Sequence, residues 1–367
     1  MEVLFNATTD NMDNFRGTLW DAKDFFEAHP PPTDPKNRRE AHREIGQLIA
    51  RGEKEIQDNR GIAVKVNEKI EAARLSVLQG LYGDGVKEVP KDEENLTKIL
   101  ENSSSIFKSV TSANESCGNE RETGKTLFND LFCLCVGDGD QSKNPHSPCS
   151  ANFVSPQNGN GYNKGKWTQM KPGSSSQPAL PVAKSIEKIM EECKKNKEEN
   201  SMKKGMSELL KDFEEMIGKG DDQVKTDKSK KIFGHSGRGK GKGEVKECDG
   251  TVGSNNQGEN SEKYNEKKIC VDYSKHLKDN KYDIPWHNKF KNYTTIMKEA
   301  KSLEEKILKN RADLLLLKSQ AWVAYSREKD DETSNLDDMN VSNLFDGARV
   351  PPSFPFPSLL LFLFMIL

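Results

Sequence analysis

Two stretches of this chain place an apolar residue every seven positions, and that period decides what they can become. In the first, Lys36 to about Leu81, Ile49, Ile56, Ala63, Ile70 and Val77 make one row. Ile45, Val66 and Ala73 fall in a second row, which Gly52 and Asn59 interrupt. In the second stretch, Asn292 to about Arg327, Tyr293, Ala300, Ile307, Leu314 and Ala321 make one row. Ile296, Leu303 and Leu317 make the other, with Asn310 in register. A helix with such a seam buries it best against another helix. Charged residues such as Glu53, Lys54, Lys65, Glu68 and Arg74 occupy the remaining faces of the first stretch. Asn59 and Asn310 either pair across the seam and fix its register or each sit at a solvated stretch of it; the second reading is preferred.

Punctuation residues delimit the helices. Pro30, Pro31, Pro32 and Pro35 precede the first seam, and "GLYGDG" ends it. Thr97 to Val110 reads as a short helix. From Asn114 to Gln177 cysteine, glycine, proline, asparagine and serine dominate, which predicts a loop-rich, disulfide-tied region. Val182 to about Ile217 is helical again, weakening around Gly205. Gly218 to Lys268, rich in Gly, Lys, Asp and Asn, predicts a long surface loop. The expected fold is mainly α: an elongated antiparallel coiled-coil helical bundle with irregular disulfide-tied loop regions.

Composition narrows the function. Fifty-six basic and 58 acidic residues leave a net charge of -2. That balance argues against a nucleic-acid partner or a polybasic membrane surface. "GHSGRGKGKG" at Gly234–Gly243 is basic, but it lacks interleaved aromatics and has acidic flanks, so a solvated loop is the reading. "GNERETGKT" at Gly118–Thr126 fails as a phosphate-binding loop, because five residues rather than four separate Gly118 from Gly124, and reads instead as the polar start of a helix leading into "LFNDLFCLCVGDG". His29, His42, His146, His235, His276 and His287 are scattered without motif spacing. No catalytic residue, cofactor or metal is expected.

The seven cysteines are Cys117, Cys133, Cys135, Cys149, Cys193, Cys248 and Cys270. Cys133 and Cys135 are too close for a usual zinc pair, which has two to four intervening residues, and no matching pair lies near. Disulfides are expected, with the C-x-C sending its two sulfurs to different partners; connectivity stays open. Asn6, Asn95, Asn102, Asn114, Asn292 and Asn340 begin N-x-[ST] sequons and are glycosylation candidates. The first residues lack a basic, apolar and small-residue leader. With the odd cysteine count, this predicts that the start of the first long helix is missing.

A chain of mean hydropathy -0.83 nevertheless finishes in "SFPFPSLLLFLFMIL". Leu359–Leu367 is too short to span a bilayer, which takes about 20 residues. Small residues, a spacer and an apolar tail instead match a glycosylphosphatidylinositol (GPI) addition signal. Asp346, Gly347 and Ala348 are the small residues, and Arg349–Ser358 is the spacer.

Together the long heptad helices, "LFCLCVGDGD", "SQAWVAYSRE" and the Asp-Gly-Ala ending resemble the variant surface glycoproteins of African trypanosomes. More narrowly, it resembles the type whose cysteines all lie in the N-terminal domain. The resemblance covers most of the chain. It implies a helical N-terminal domain over residues 1–327, a flexible linker over 328–346 and a signal over 347–367 that is removed. It implies GPI attachment at Asp346, a homodimer in a dense coat on the outer leaflet of the plasma membrane, and host antibodies as partners. The expected role is steric shielding with antigenic variation and immune evasion. A GPI-anchored receptor for a host ligand on the same scaffold is the alternative.

Overall fold

The computed structural model describes residues 1–110, 113–118, 123–135, 182–195, 204–219, 231–234, 248 and 270–327. They form a mainly helical bundle, as the heptads predict. The helices are α1 (Glu2–Ala7), α2 (Met12–Asp21), α3 (Lys23–Ala28), α4 (Pro35–Tyr82), α5 (Glu93–Glu101), α6 (Ser103–Ile106), α7 (Ala113–Cys117), α8 (Leu127–Cys135), α9 (Val182–Lys195), α10 (Met206–Met216) and α11 (Pro285–Ser326). Two compact units share them. One takes residues 1–70 with 298–355, and the other takes 71–297, so far as these are described.

The first unit is built on α4 and α11. Helix α4 starts where Asp34 accepts from the backbone N–H groups of Lys36 (2.8 Å) and Asn37 (2.9 Å), with Pro35 in the first helical position. Those two bonds hold the Asp34 carboxyl below its usual range. The two helices run antiparallel, as paired side chains show: Glu44 with Arg327, Asn59 with Asn310, Lys69 with Glu299. The row that Gly52 and Asn59 seem to interrupt is the one that is buried. Ile45 and Val66 are buried and so is Gly52, whose Cα lies under Leu314 and Leu317. The other row surfaces in the middle, with Ile56 44% exposed. The preference for unpaired, solvated asparagines is corrected: Asn310 Nδ2 donates to Asn59 Oδ1 at 2.9 Å. Helices α1–α3 close one end with a core of Leu4, Ala7, Phe26, Ala41, Ile45, Ala321 and Tyr325.

In the second unit, the Gly83 N–H closes α4 on Gln79 O (2.9 Å), with Gly83 at φ 92°. A side chain there would also strike Ser105 O. The expected single helix at Thr97–Val110 is two, α5 and α6. Helix α11 begins seven residues before the expected Asn292, because Pro285 starts it instead of breaking a helix. The region expected as loop-rich from Asn114 contains α7, and the helix expected to follow "GNERETGKT" is α8, where "LFNDLFCLC" buries an apolar face. Within the expected surface loop at 218–268, β1 (Ile232–Phe233) pairs antiparallel with β2 (Val271–Asp272), and Cys248 is fully buried. Strands β3 (Leu277–Lys278) and β4 (Lys281–Tyr282) form a hairpin whose turn residues, Asp279 and Asn280, both have positive φ. Trp286, Tyr273, Phe107, Phe128, Phe132 and Phe290 fill the core. Among the described residues no helix is long and apolar enough to cross a membrane.

Candidate functional site

The second unit holds most of the residues that the sequence singles out, and one buried acid organises it. Helix α8 starts at Thr126, whose Oγ1 accepts from Asn129 N (3.0 Å) and donates to Ile106 O (2.9 Å). One turn in, Asp130 points into the core. Its Oδ2 accepts from Tyr273 OH (2.5 Å) and Trp286 Nε1 (2.7 Å); its Oδ1 accepts from Asn129 Nδ2 (3.0 Å) and Gly124 N (3.2 Å). Four donors saturate the carboxylate. Burial still outweighs them and pushes its pKa up to about 6. The Tyr273 hydroxyl is raised in turn, by burial first and then by the Asp130 charge. The node joins α8, the residue that follows β2, and α11, and all three side chains are buried, so its work is structural. Sequence reasoning missed it. The one available signal was an Asn-Asp pair inside the apolar run "LFNDLFCLC".

Disulfides clamp the same region. Cys117 on α7 is joined to Cys133 on α8, and Cys248 to Cys270. Cys135 is also disulfide-bonded. Cys193 is half-buried on α9. Cys149, His146 and His235 lie outside the described residues, as do Asn340, Asp346, the linker and the apolar tail.

A cavity of about 440 Å³ opens beside the end of α4. Gln79, Asp84, Asn102, Ser104, Lys125 and Lys289 supply its polar lining. Both cations are committed to protein partners. Lys289 Nζ contacts Asp84 (2.6 Å) and Gln79 Oε1 (2.9 Å), and Lys125 Nζ donates to the carbonyls of Ser104 (2.7 Å) and Phe107 (3.2 Å). The lining offers hydrogen-bond groups but no nucleophile set beside a base.

The sequons differ in setting. Asn6 is half-buried on α1, and the hydroxyl of its Thr8 is spent on Leu4 O, Phe5 O and His42. Asn292 Nδ2 donates to Ser76 Oγ at 3.0 Å. Asn114 is exposed, but its Ser116 is buried and bonded to Ser109. Asn95 is exposed on the first turn of α5. Asn102 is exposed between α5 and α6 and lines the cavity.

Comparison with known proteins adds one match. The family model described as the trypanosomal VSG domain covers residues 7–313 of the chain. A search of curated proteins finds no match.

Proposed function

This chain belongs to the variant surface glycoprotein family, and on that premise we propose that it is a GPI-anchored trypanosome coat protein that acts by occupancy and steric shielding. The family match over 7–313 carries this reading. Surface coat proteins of this family need no reacting group. A helical bundle clamped by disulfides suits a protein whose task is to be present in bulk.

Asp346 is the proposed attachment residue, with 328–346 as the linker and 347–367 as the segment replaced by lipid. The support is the order of small residues, spacer and apolar tail in "DGARVPPSFPFPSLLLFLFMIL". The anchor would place the chain on the outer leaflet of the plasma membrane, where host antibodies meet it. A second copy is the proposed partner within the coat. Leu308, Leu315, Leu316 and Val323 support this, because they leave an apolar stripe exposed along α11 at a helical spacing. Variation of exposed residues over a constant bundle is the proposed route to antigenic variation and immune evasion.

Treatment of intact cells with phosphatidylinositol-specific phospholipase C tests the anchor. The chain is expected in the supernatant, with Asp346 as its last residue by mass spectrometry. A chain that stays with the cells, or is recovered still carrying residues 347–367, overturns the reading.

A further inference from the structure

We propose that Asn102 carries an N-linked glycan and that the cavity beside it seats the first N-acetylglucosamine. The inference rests on the surface-glycoprotein reading, since only a chain in the secretory pathway meets the glycan donor.

The geometry singles out Asn102 among the described sequons. The hydroxyl of its own sequon, Ser104 Oγ, donates to Asn102 Oδ1 at 2.9 Å. That leaves Nδ2, the nitrogen to be modified, with no acceptor among the described residues. Nδ2 faces Gly85, 3.6 Å from where a Cβ would stand. Gly85 therefore keeps the entrance open. The wall is fixed before any sugar arrives: Ser105 Oγ donates to Tyr82 O (2.9 Å) and accepts from Gly85 N (3.2 Å). Lys125 holds the other side through Ser104 O and Phe107 O. A side chain at position 85 would meet Ser105 Oγ, so the turn and the sequon loop are packed against each other.

The lining suits a sugar. Pyranose hydroxyls and an acetamido group need mixed donors and acceptors at short range; Lys289 keeps a third N–H beyond its bonds to Asp84 and Gln79, and the Asp84 carboxylate and Ser104 hydroxyl keep lone pairs that can accept. The volume falls within the ~300–1,000 Å³ range of small-molecule sites. In the transfer step Asn102 Nδ2 attacks the anomeric carbon of a lipid-linked oligosaccharide. A C–N bond forms, the bond from that carbon to the polyprenyl diphosphate oxygen breaks, and one amide proton leaves to a base of the transferase. Transfer takes place on the unfolded chain; folding then closes the cavity round the sugar.

The test uses the full chain behind a vector-encoded secretion signal in a eukaryotic host. Delivery is then assured, and the result does not depend on where the chain resides in its own cell. Peptide mapping is expected to find glycan at Asn102. Peptide N-glycosidase should release it from the native protein at least tenfold more slowly than it releases glycan at Asn95, with the two rates converging after denaturation. Amides of residues 83–86 and 102–105 should exchange severalfold faster in Asn102→Gln than in the glycosylated protein. Asn102 bare while Asn95 is occupied overturns the proposal. So does native release at the Asn95 rate with unchanged amide exchange.

Discussion

Asn310 donates a 2.9 Å hydrogen bond to Asn59 across the seam between α4 and α11, and both side chains are half-buried. Two amides that satisfy each other are tolerable in an apolar seam, whereas one alone is not. Asn59→Leu is expected to lower stability by about 1–2 kcal/mol, because it strands the Asn310 amide. The double replacement by leucine should recover that loss or exceed wild type. It should also let the seam slide in register, since the polar pair no longer penalises misalignment. Urea melts of the four proteins in a double-mutant cycle measure the coupling; a coupling of zero would show that the pair is incidental.

Gly52 sits in mid-helix on the buried row. A Cβ there would meet Met1 Cε at 3.5 Å, Leu314 Cδ2 at 3.6 Å and Leu317 Cδ1 at 3.9 Å, all ordinary contacts. Gly52→Ala should therefore gain about 1 kcal/mol from helix propensity and stiffening of the unfolded chain. Thermal unfolding checks this, and a fall in Tm would mean that the seam is tighter than these distances indicate.

Asp130 makes stability depend on pH with a definite sign. Its folded pKa, about 6, lies above the unfolded value of 3.8, so the folded state holds the proton more tightly. Its contribution is complete below about pH 4 and declines as pH rises through 6. The change amounts to about 3 kcal/mol at 1.36 kcal/mol per pKa unit. Asp130→Asn abolishes this term and also confronts four donors with an amide that has only one acceptor atom. The variant should be less stable throughout, with the gap from wild type wider at pH 4 than at pH 7. Denaturant titrations at both pH values decide it; a gap that widens toward pH 7 contradicts the assignment.

Leu308 and Leu316 on α11 are 63% and 56% exposed, and Leu315 and Val323 extend the stripe. Leu308→Glu with Leu316→Glu should leave helicity and Tm near wild type in dilute solution, because neither side chain is buried in the chain itself. The sedimentation mass at coat-like concentrations should fall from dimer to monomer. A wild-type chain that stays monomeric at every concentration tested would remove this stripe as a copy-to-copy surface.

How far the sequence speaks for itself varies from residue to residue. The α4–α11 seam was legible because a seven-residue period persists over many turns. Which of its two rows is buried was not, since Gly52 and Asn59 look like interruptions until a facing helix is present. Pro285 hid the true start of α11 because the same residue can end a helix or begin one. The strands are two residues long, too short for any alternation to show. The Asp130 node was illegible for another reason. Tyr273 and Trp286 lie 143 and 156 positions further along the chain, and no local pattern records that they converge.

For the two distant donors the same separation imposes an order in time. Asp130 leaves the ribosome 156 residues ahead of Trp286, its most distant donor. At roughly 5–20 residues per second this is an interval of about 8–30 s. During it the acid on α8 has only its near neighbours, Asn129 and Gly124, to bind Oδ1, and Oδ2 lacks both of its donors. Cys117 and Cys133, only 16 residues apart, can be oxidised long before that interval ends. The early crosslink ties α8 to α7, and the late arrivals, Tyr273 and then Trp286, complete the hydrogen bonding of Oδ2. A chain that stops short of Trp286 leaves Asp130 Oδ2 without that donor, so the satisfied burial of this acid depends on synthesis reaching α11.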